Sequence, residues 1–288
     1  MLRLQVAGVE IQLQTDNDAF FAKRTAEYVS DGTAPVQLSM ISHVVDEITL
    51  PEGEHLFSAN RSRIMRLPDG DMAHYTYSLD RQHIIQLTRY SPDYSRTELW
   101  SSVPPNDNCT SIDYEYAYTG FAFANRLSAL GGAVLHGSAI AYRGEGVIFS
   151  APSGTGKSTH TTFWKECFGD EVIFVNDDKP ALHFPENDRP IVYGNPWSGK
   201  TDLNTNIAVP LKAIVFLERG EENAIRQLDF TESMFHISEQ LVRPFMDEKL
   251  GEKLVDRMVQ LALGTPVYLL TCTKEPKAAE FARRVLFD

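Results

Sequence analysis

The stretch from Gly146 to Thr159, G-V-I-F-S-A-P-S-G-T-G-K-S-T, constrains this chain more than any other. Val147, Ile148 and Phe149 form a short apolar run after a turn glycine, the pattern of a buried strand. Small residues and two glycines follow, then a lysine and hydroxyl side chains where a helix should open. The order predicts a strand, a tight loop and a helix N-terminus, with Ala151 where the first glycine of a phosphate-loop pattern usually stands. Gly154 and Gly156 let the backbone curl and turn its N–H groups inward. The helix start adds unpaired N–H groups and its dipole. Ser153, Gly154, Thr155, Gly156, Lys157, Ser158 and Thr159 are therefore the candidate nucleotide-binding residues. Lys157 can reach the β- and γ-phosphates, and the Ser158 hydroxyl can ligate a magnesium ion that bridges them. ATP and Mg2+ are the expected cofactors.

A second feature falls where that chemistry needs it. The apolar run Val172-Ile173-Phe174-Val175 ends in Asn176-Asp177-Asp178, and Asp177 lies 20 residues beyond Lys157. One carboxylate at such a strand end can hold magnesium opposite the loop serine, and an adjacent one can take a proton from an attacking hydroxyl. Which of the two does which is open at this point. Read alone, Asn-Asp-Asp is a turn; the glycine loop ahead of it favours function.

The 288 residues, 43% hydrophobic, suffice for one large core or two smaller ones. A net charge of −12 without a basic run argues against nucleic acid or an anionic membrane as partner. Three separated cysteines, Cys109, Cys167 and Cys272, form neither a disulfide framework nor a zinc pattern. That usage suits a reducing cytoplasm. The opening M-L-R-L-Q-V alternates, so no signal peptide is expected, and no apolar run reaches the ~20 residues of a membrane span.

Alternation on either side of Ala7-Gly8 predicts a hairpin with Val6 opposite Val9, Leu4 opposite Ile11 and Leu2 opposite Leu13. Asp16 to Val29 reads as a helix, partly apolar through Phe20, Ala26 and Tyr28 and closed by Asp31-Gly32. Strands dominate from Pro35 to Val103, with a second hairpin about Asp80-Arg81. His43, His55, His74 and His83 are scattered there and read as structural or solvated. Pro104 to Asn108 reads as a linker. Thr110-x-x-Asp113 caps a helix that runs to Gly131-Gly132. Val134 to Tyr142 reads as one strand. Thr231 to Leu263 reads as helix broken at Pro244, and Pro276 starts a last helix with Ala278, Ala282, Val285 and Leu286 on its stripe.

Leu135-His136-Gly137, then S-G-T-G-K-S-T, then V-N-D-D resembles the kinase core of bacterial HPr serine kinase/phosphorylase. The same core resembles ATP-dependent phosphoenolpyruvate carboxykinase. The likeness covers about Val134 to Asp178, and Tyr193 to Lys200 resembles a segment of kinase relatives that act on other substrates. The resemblance implies that His136 orients or charge-balances the reacting phosphate. It implies that Asp177 is the base and that Asp178 joins Ser158 around magnesium, and it makes a homo-oligomer plausible. Lys157 completes the implied catalytic set. Lys200 reads either as a solvated lysine or as a phosphate contact, Trp197 as a packed aromatic, and Arg243 as a surface arginine or a second positive charge.

The expected fold is α/β with a mixed α+β sheet: a carboxykinase-like P-loop kinase domain over 109–288, preceded by a strand-rich region over 1–108. The expected activity is ATP-dependent phosphorylation of a hydroxyl, serine foremost, on a peptide, protein or small molecule. A carboxykinase-like enzyme and a non-catalytic nucleotide-binding module are the alternatives.

Overall fold

In the computed structural model, which describes residues 1–103, 108–243 and 247–288, the N-terminal alternation forms its hairpin. β1 (Leu2–Val6) and β2 (Val9–Gln14) pair with Val6 opposite Val9 and Leu4 opposite Ile11. Ala7 and Gly8 take φ of 46° and 74°, the left-handed pair that a two-residue hairpin turn requires. The helix that follows, α1 (Asp18–Arg24), is shorter than the Asp16–Val29 expected. The Thr25 hydroxyl donates to the Phe21 carbonyl at 2.7 Å, and the chain continues as a 3-10 turn that buries Tyr28 while Ala26 stays exposed.

The first unit, Met1–Ala129, is built on one mixed sheet. Its further strands are β3 (Leu38–Val44), β4 (Glu54–Ala59), β5 (Ser62–Arg66), β6 (Met72–Tyr77), β7 (Ile84–Tyr90) and β8 (Arg96–Ser101). They lie in the order β1-β2-β3-β8-β7-β6-β5-β4, with β3 parallel to β2 and β8. The hairpin about Asp80-Arg81 has a longer connection than two residues: Ser78 N–H bonds the His83 carbonyl, and the Asp80 carboxylate accepts from Ser78 and Gln82. α2 (Ser111–Ala129) carries the expected cap, Thr110 and Asp113 bonding reciprocally. It packs on β3 and β8, so it belongs to this unit and not with the residues after 130, where the sequence reading put it. Long-range polar anchors decide this: buried Glu115 accepts from the Thr15 hydroxyl, and Arg126 donates to the Gln37 and Asp93 carbonyls. Here His43 contacts Glu98, His55 contacts Ser58, and burial lowers the His74 imidazole to about 4.

The second unit, Leu130–Asp288, begins with β9 (Ala133–Val134) and β10 (Ser138–Tyr142). The single strand expected over 134–142 is thus broken at Leu135-His136-Gly137. A Cβ on Gly137 would fall 2.7 Å from the Ile148 side chain, so only glycine permits this crossing. β11 (Glu145–Ser150), α3 (Lys157–Phe168) and β12 (Val172–Asn176) follow, then β13 (Ala181–His183), β14 (Ile191–Tyr193), β15 (Ala208–Arg219) and β16 (Ala224–Gln227). α4 (Phe230–Gln240), α5 (Glu248–Gly264), β17 (Val267–Cys272) and α6 (Lys277–Phe287) complete it. The break expected at Pro244 and most of the linker expected at 104–108 lie outside the described residues.

β12-β10-β11-β15 are successive neighbours, and β17 and β16 continue beyond β15. β11, β15 and β17 run parallel, while the start of β15 diverges to pair with β14 and, through it, β13 and β9. This second sheet is also mixed. α3 and α6 cover one face with Trp164, Ala279, Ala282 and Leu286 against Tyr142, Phe149 and Val215. α4 and α5 cover the other with Ile237, Leu254, Met258 and Leu261 against Ile148, Ile214 and Phe216. Val285 is 44% exposed, so the α6 stripe runs through Ala279 and omits it. Among the described residues no helix is long and apolar enough to cross a membrane.

Candidate active site

Parallel pairing of β11 with β15 brings the glycine loop, residues 151–156, to one rim of the second sheet. Gly154 and Gly156 have φ of 80° and 126°, and a Cβ at either would meet nothing within 4 Å. Conformation, not crowding, demands glycine there. Lys157 opens α3 and is buried, its ammonium donating to the Ala151 carbonyl at 2.9 Å and reaching that of Pro152 at 3.5 Å. Burial lowers its pKa, while Asp178 and Asp177 pull it back up. Ser153 and Gly154 are exposed; Thr155, Gly156, Ser158 and Thr159 are half-buried.

Two strands away, β12 delivers the aspartates. The Asn176 side-chain oxygen accepts the N–H groups of Asp178 and Lys179 at 3.0 and 2.6 Å, which turns the chain and sets both carboxylates. Asp177 is buried, its two oxygens accepting from the Ser138 hydroxyl at 2.5 Å and the Thr201 hydroxyl at 2.8 Å. Ser138 also meets Thr161 of α3 at 2.8 Å, so the carboxylate is tied to the helix behind the loop. Asp178 is more open: one oxygen lies 3.6 Å from His136 Nε2, and the other accepts from Lys179. His136 Nδ1 lies 3.0 Å from the Gln240 side-chain oxygen, and the Gly137 N–H donates to the Asp178 carbonyl. Burial and the Lys157 charge lower the His136 pKa, against the opposite pull of Asp178 and Gln240. Lys157, His136 and the adjacent Asp177 and Asp178, drawn from three places in the sequence, thus act on one another electrostatically.

Four residues of this cluster were not singled out from sequence: Ser138, Thr201, Gln240 and Arg219. Arg219 ends β15 and donates to the Thr155 carbonyl at 3.1 Å and to that of Gly154. A charged residue ending a strand parallel to β11 is the signal that could have found it. Thr201 sits on the segment after Gly194. Asn195 binds that segment to the aspartate turn, accepting from Asn176 through its carbonyl and donating its amide to the Lys179 carbonyl. Gly199, at φ 72°, lies so close that a Cβ there would be 3.0 Å from Asp178 Cβ. Trp197 is buried as a packed aromatic; Lys200 and Arg243 are exposed. His160, inside α3, is structural: it accepts from Trp164 Nε1 at 3.2 Å, and burial lowers it to about 4.

Ser158, Asp177 and Asp178 offer hard oxygen donors suited to magnesium. Among the described residues no group of three or more His, Cys, Asp or Glu side chains could hold a metal ion.

Comparison with curated proteins returns no match. Among solved structures, the Hpr(Ser) kinase/phosphatase from Coxiella burnetii is similar at a TM-score of 0.26 and 14% identity, over 45% of this chain and 92% of that one. A family model described as SynChlorMet cassette protein ScmC matches residues 121–281, more than half of the chain. By that match the chain belongs to the ScmC family of SynChlorMet cassette proteins.

Proposed function

We propose that this protein is an ATP-dependent kinase that phosphorylates a hydroxyl, serine foremost, on a peptide, protein or small molecule. The observation that carries this reading is the convergence of a glycine-loop lysine, a paired-aspartate strand end and His136 around Asp178. A nucleotide-holding loop alone needs no such group beside it. In the proposed step the acceptor oxygen bonds to the γ-phosphorus and the bond to the bridging oxygen breaks. ADP leaves, and the hydroxyl proton passes to a carboxylate. Lys157 and the loop N–H groups hold the phosphates, and Ser158 with Asp178 would hold magnesium. The ion would neutralise charge on those phosphates. His136 balances charge beside them.

Asp177 is assigned as the base. The hydrogen bonds also favour a second reading with the aspartates exchanged. Both Asp177 oxygens already accept hydroxyl protons beneath Ser138 and Thr201, while Asp178 is open on its His136 side. Calorimetry of the parent and Lys157→Ala tests the nucleotide reading. The parent should bind MgATP, and the variant should lose tight binding because the triphosphate loses its main charge-assisted contact. Equal binding by both would refute the loop assignment.

A further inference from the structure

The parallel strands β11, β15 and β17 end on one rim of the second unit, and ligands of such sheets collect outside those ends. The paired aspartates follow β12, on the β10 side of the glycine loop. On the β15 side lies an open cleft of about 480 Å³, bounded by residues 151–155, the end of β15 and α4. We propose that this cleft takes the nucleoside half of the nucleotide, its base against the Phe216–His236 ring pair and its amino edge on the carboxylates of Glu218 and Glu239. The proposal rests on the nucleotide reading of the loop.

Three observations carry it. The first is direction. The reacting end of a triphosphate must face the aspartates, so its other end leaves the loop away from β12, toward β15. The second is the surface it meets. Phe216, Leu217 and Leu269 form an apolar side of the cleft, and the His236 ring stacks on Phe216 with centroids 4.8 Å apart at 28°. Flat aromatic surface beside apolar side chains suits a planar base. The third is charge. Among the described residues that line the cleft the cation is Arg219, and its guanidinium already holds the Gly154 and Thr155 carbonyls. Glu218 and Glu239 can only accept while ionised. The cleft therefore disfavours a further phosphate or an acidic acceptor and favours a neutral ring with N–H donors, which a base with an exocyclic amine supplies. Its volume lies in the range usual for small-molecule sites.

Calorimetry on the full chain with two probes, MgATP and magnesium tripolyphosphate, separates the cleft from the loop. The parent should bind MgATP at least about tenfold more tightly than tripolyphosphate, the worth of one stacked base. His236→Ala should weaken MgATP by about tenfold and leave tripolyphosphate unchanged, which also shows that the variant is folded. If His236→Ala loses both ligands, the exposed Glu239→Ala decides, and it should narrow the same preference. Equal binding of the two probes by the parent overturns the proposal while leaving the loop reading intact. So does a preference that survives the deciding variant. A parent that binds neither probe overturns the loop reading and this inference with it.

Discussion

Gly194→Ala tests whether the segment that Asn195 and Thr201 tie to the aspartate turn packs as closely as described. Gly194 follows β14 and lies between two main-chain carbonyls. A Cβ there would fall 1.9 Å from the Thr205 oxygen and 2.8 Å from the Val175 oxygen. Neither atom can step aside by changing rotamer, so Thr205 must retreat by about 1.5 Å to reach ordinary contact. That retreat breaks the Thr205 N–H bond to the Val175 carbonyl and strains the Asp177 N–H bond to the Leu203 carbonyl. Two such bonds at about 1 kcal/mol each, with overpacking of about 1–3 kcal/mol, give a loss of about 3–5 kcal/mol. The stiffer unfolded chain returns up to about 1 kcal/mol, so the net cost is about 3 kcal/mol. Urea unfolding at neutral pH measures it. Gly251→Ala is the control of opposite sign: it lies within α5 with nothing within 4 Å of its Cβ, and should gain up to about 1 kcal/mol. A loss below about 1 kcal/mol for Gly194→Ala would refute the close crossing at Gly194.

Asp177→Asn should keep MgATP affinity within a few-fold and lower turnover by roughly 10² to 10⁴, while Asp178→Asn should shift the magnesium dependence. Kinetics of both variants against magnesium concentration checks this, and the reverse pattern selects the exchanged roles. Arg219→Ala removes the clamp on the Gly154 and Thr155 carbonyls and should weaken MgATP several-fold by calorimetry with little change in unfolding midpoint, since its bonds are exposed. Burial holds His160 at about 4 against an ordinary 6.5, so between those values the unfolded chain binds the proton and the folded one does not. Stability from this group is therefore full above about 6.5 and falls with pH toward 4, by up to about 1.4 kcal/mol per pH unit. Urea midpoints across that range should fall less steeply for His160→Gln than for the parent; equal slopes would exclude the buried neutral ring.

What the sequence made legible was local. The register of the first hairpin followed from six alternating apolar residues and one turn, because period and turn geometry leave a single consistent pairing. The strand, glycine loop and helix over 145–168 followed from residue types that few other conformations accept. What stayed hidden depends on distance in the chain. The break at His136-Gly137 lies where Ile148 and the Phe149 carbonyl pass close to Gly137, a contact that an apolar run does not announce. Thr201 meets Asp177, and Gln240 meets His136, only after the sheet has assembled. The punctuation at 104–108 is stronger than anything near Ala129 and points α2 toward the later domain, yet buried Glu115 ties it to Thr15.

Transfer of the γ-phosphate itself tests the central claim most directly. The parent is incubated with γ-labelled ATP, magnesium and cell extract, beside the Asp177→Asn/Asp178→Asn double variant. The kinase account predicts label in a hydroxyl phosphate ester, on a protein or on a serine-type small molecule, with the parent alone. Nucleotide bound by the parent with no labelled product, or oxaloacetate-dependent release of carbon dioxide in its place, would contradict it.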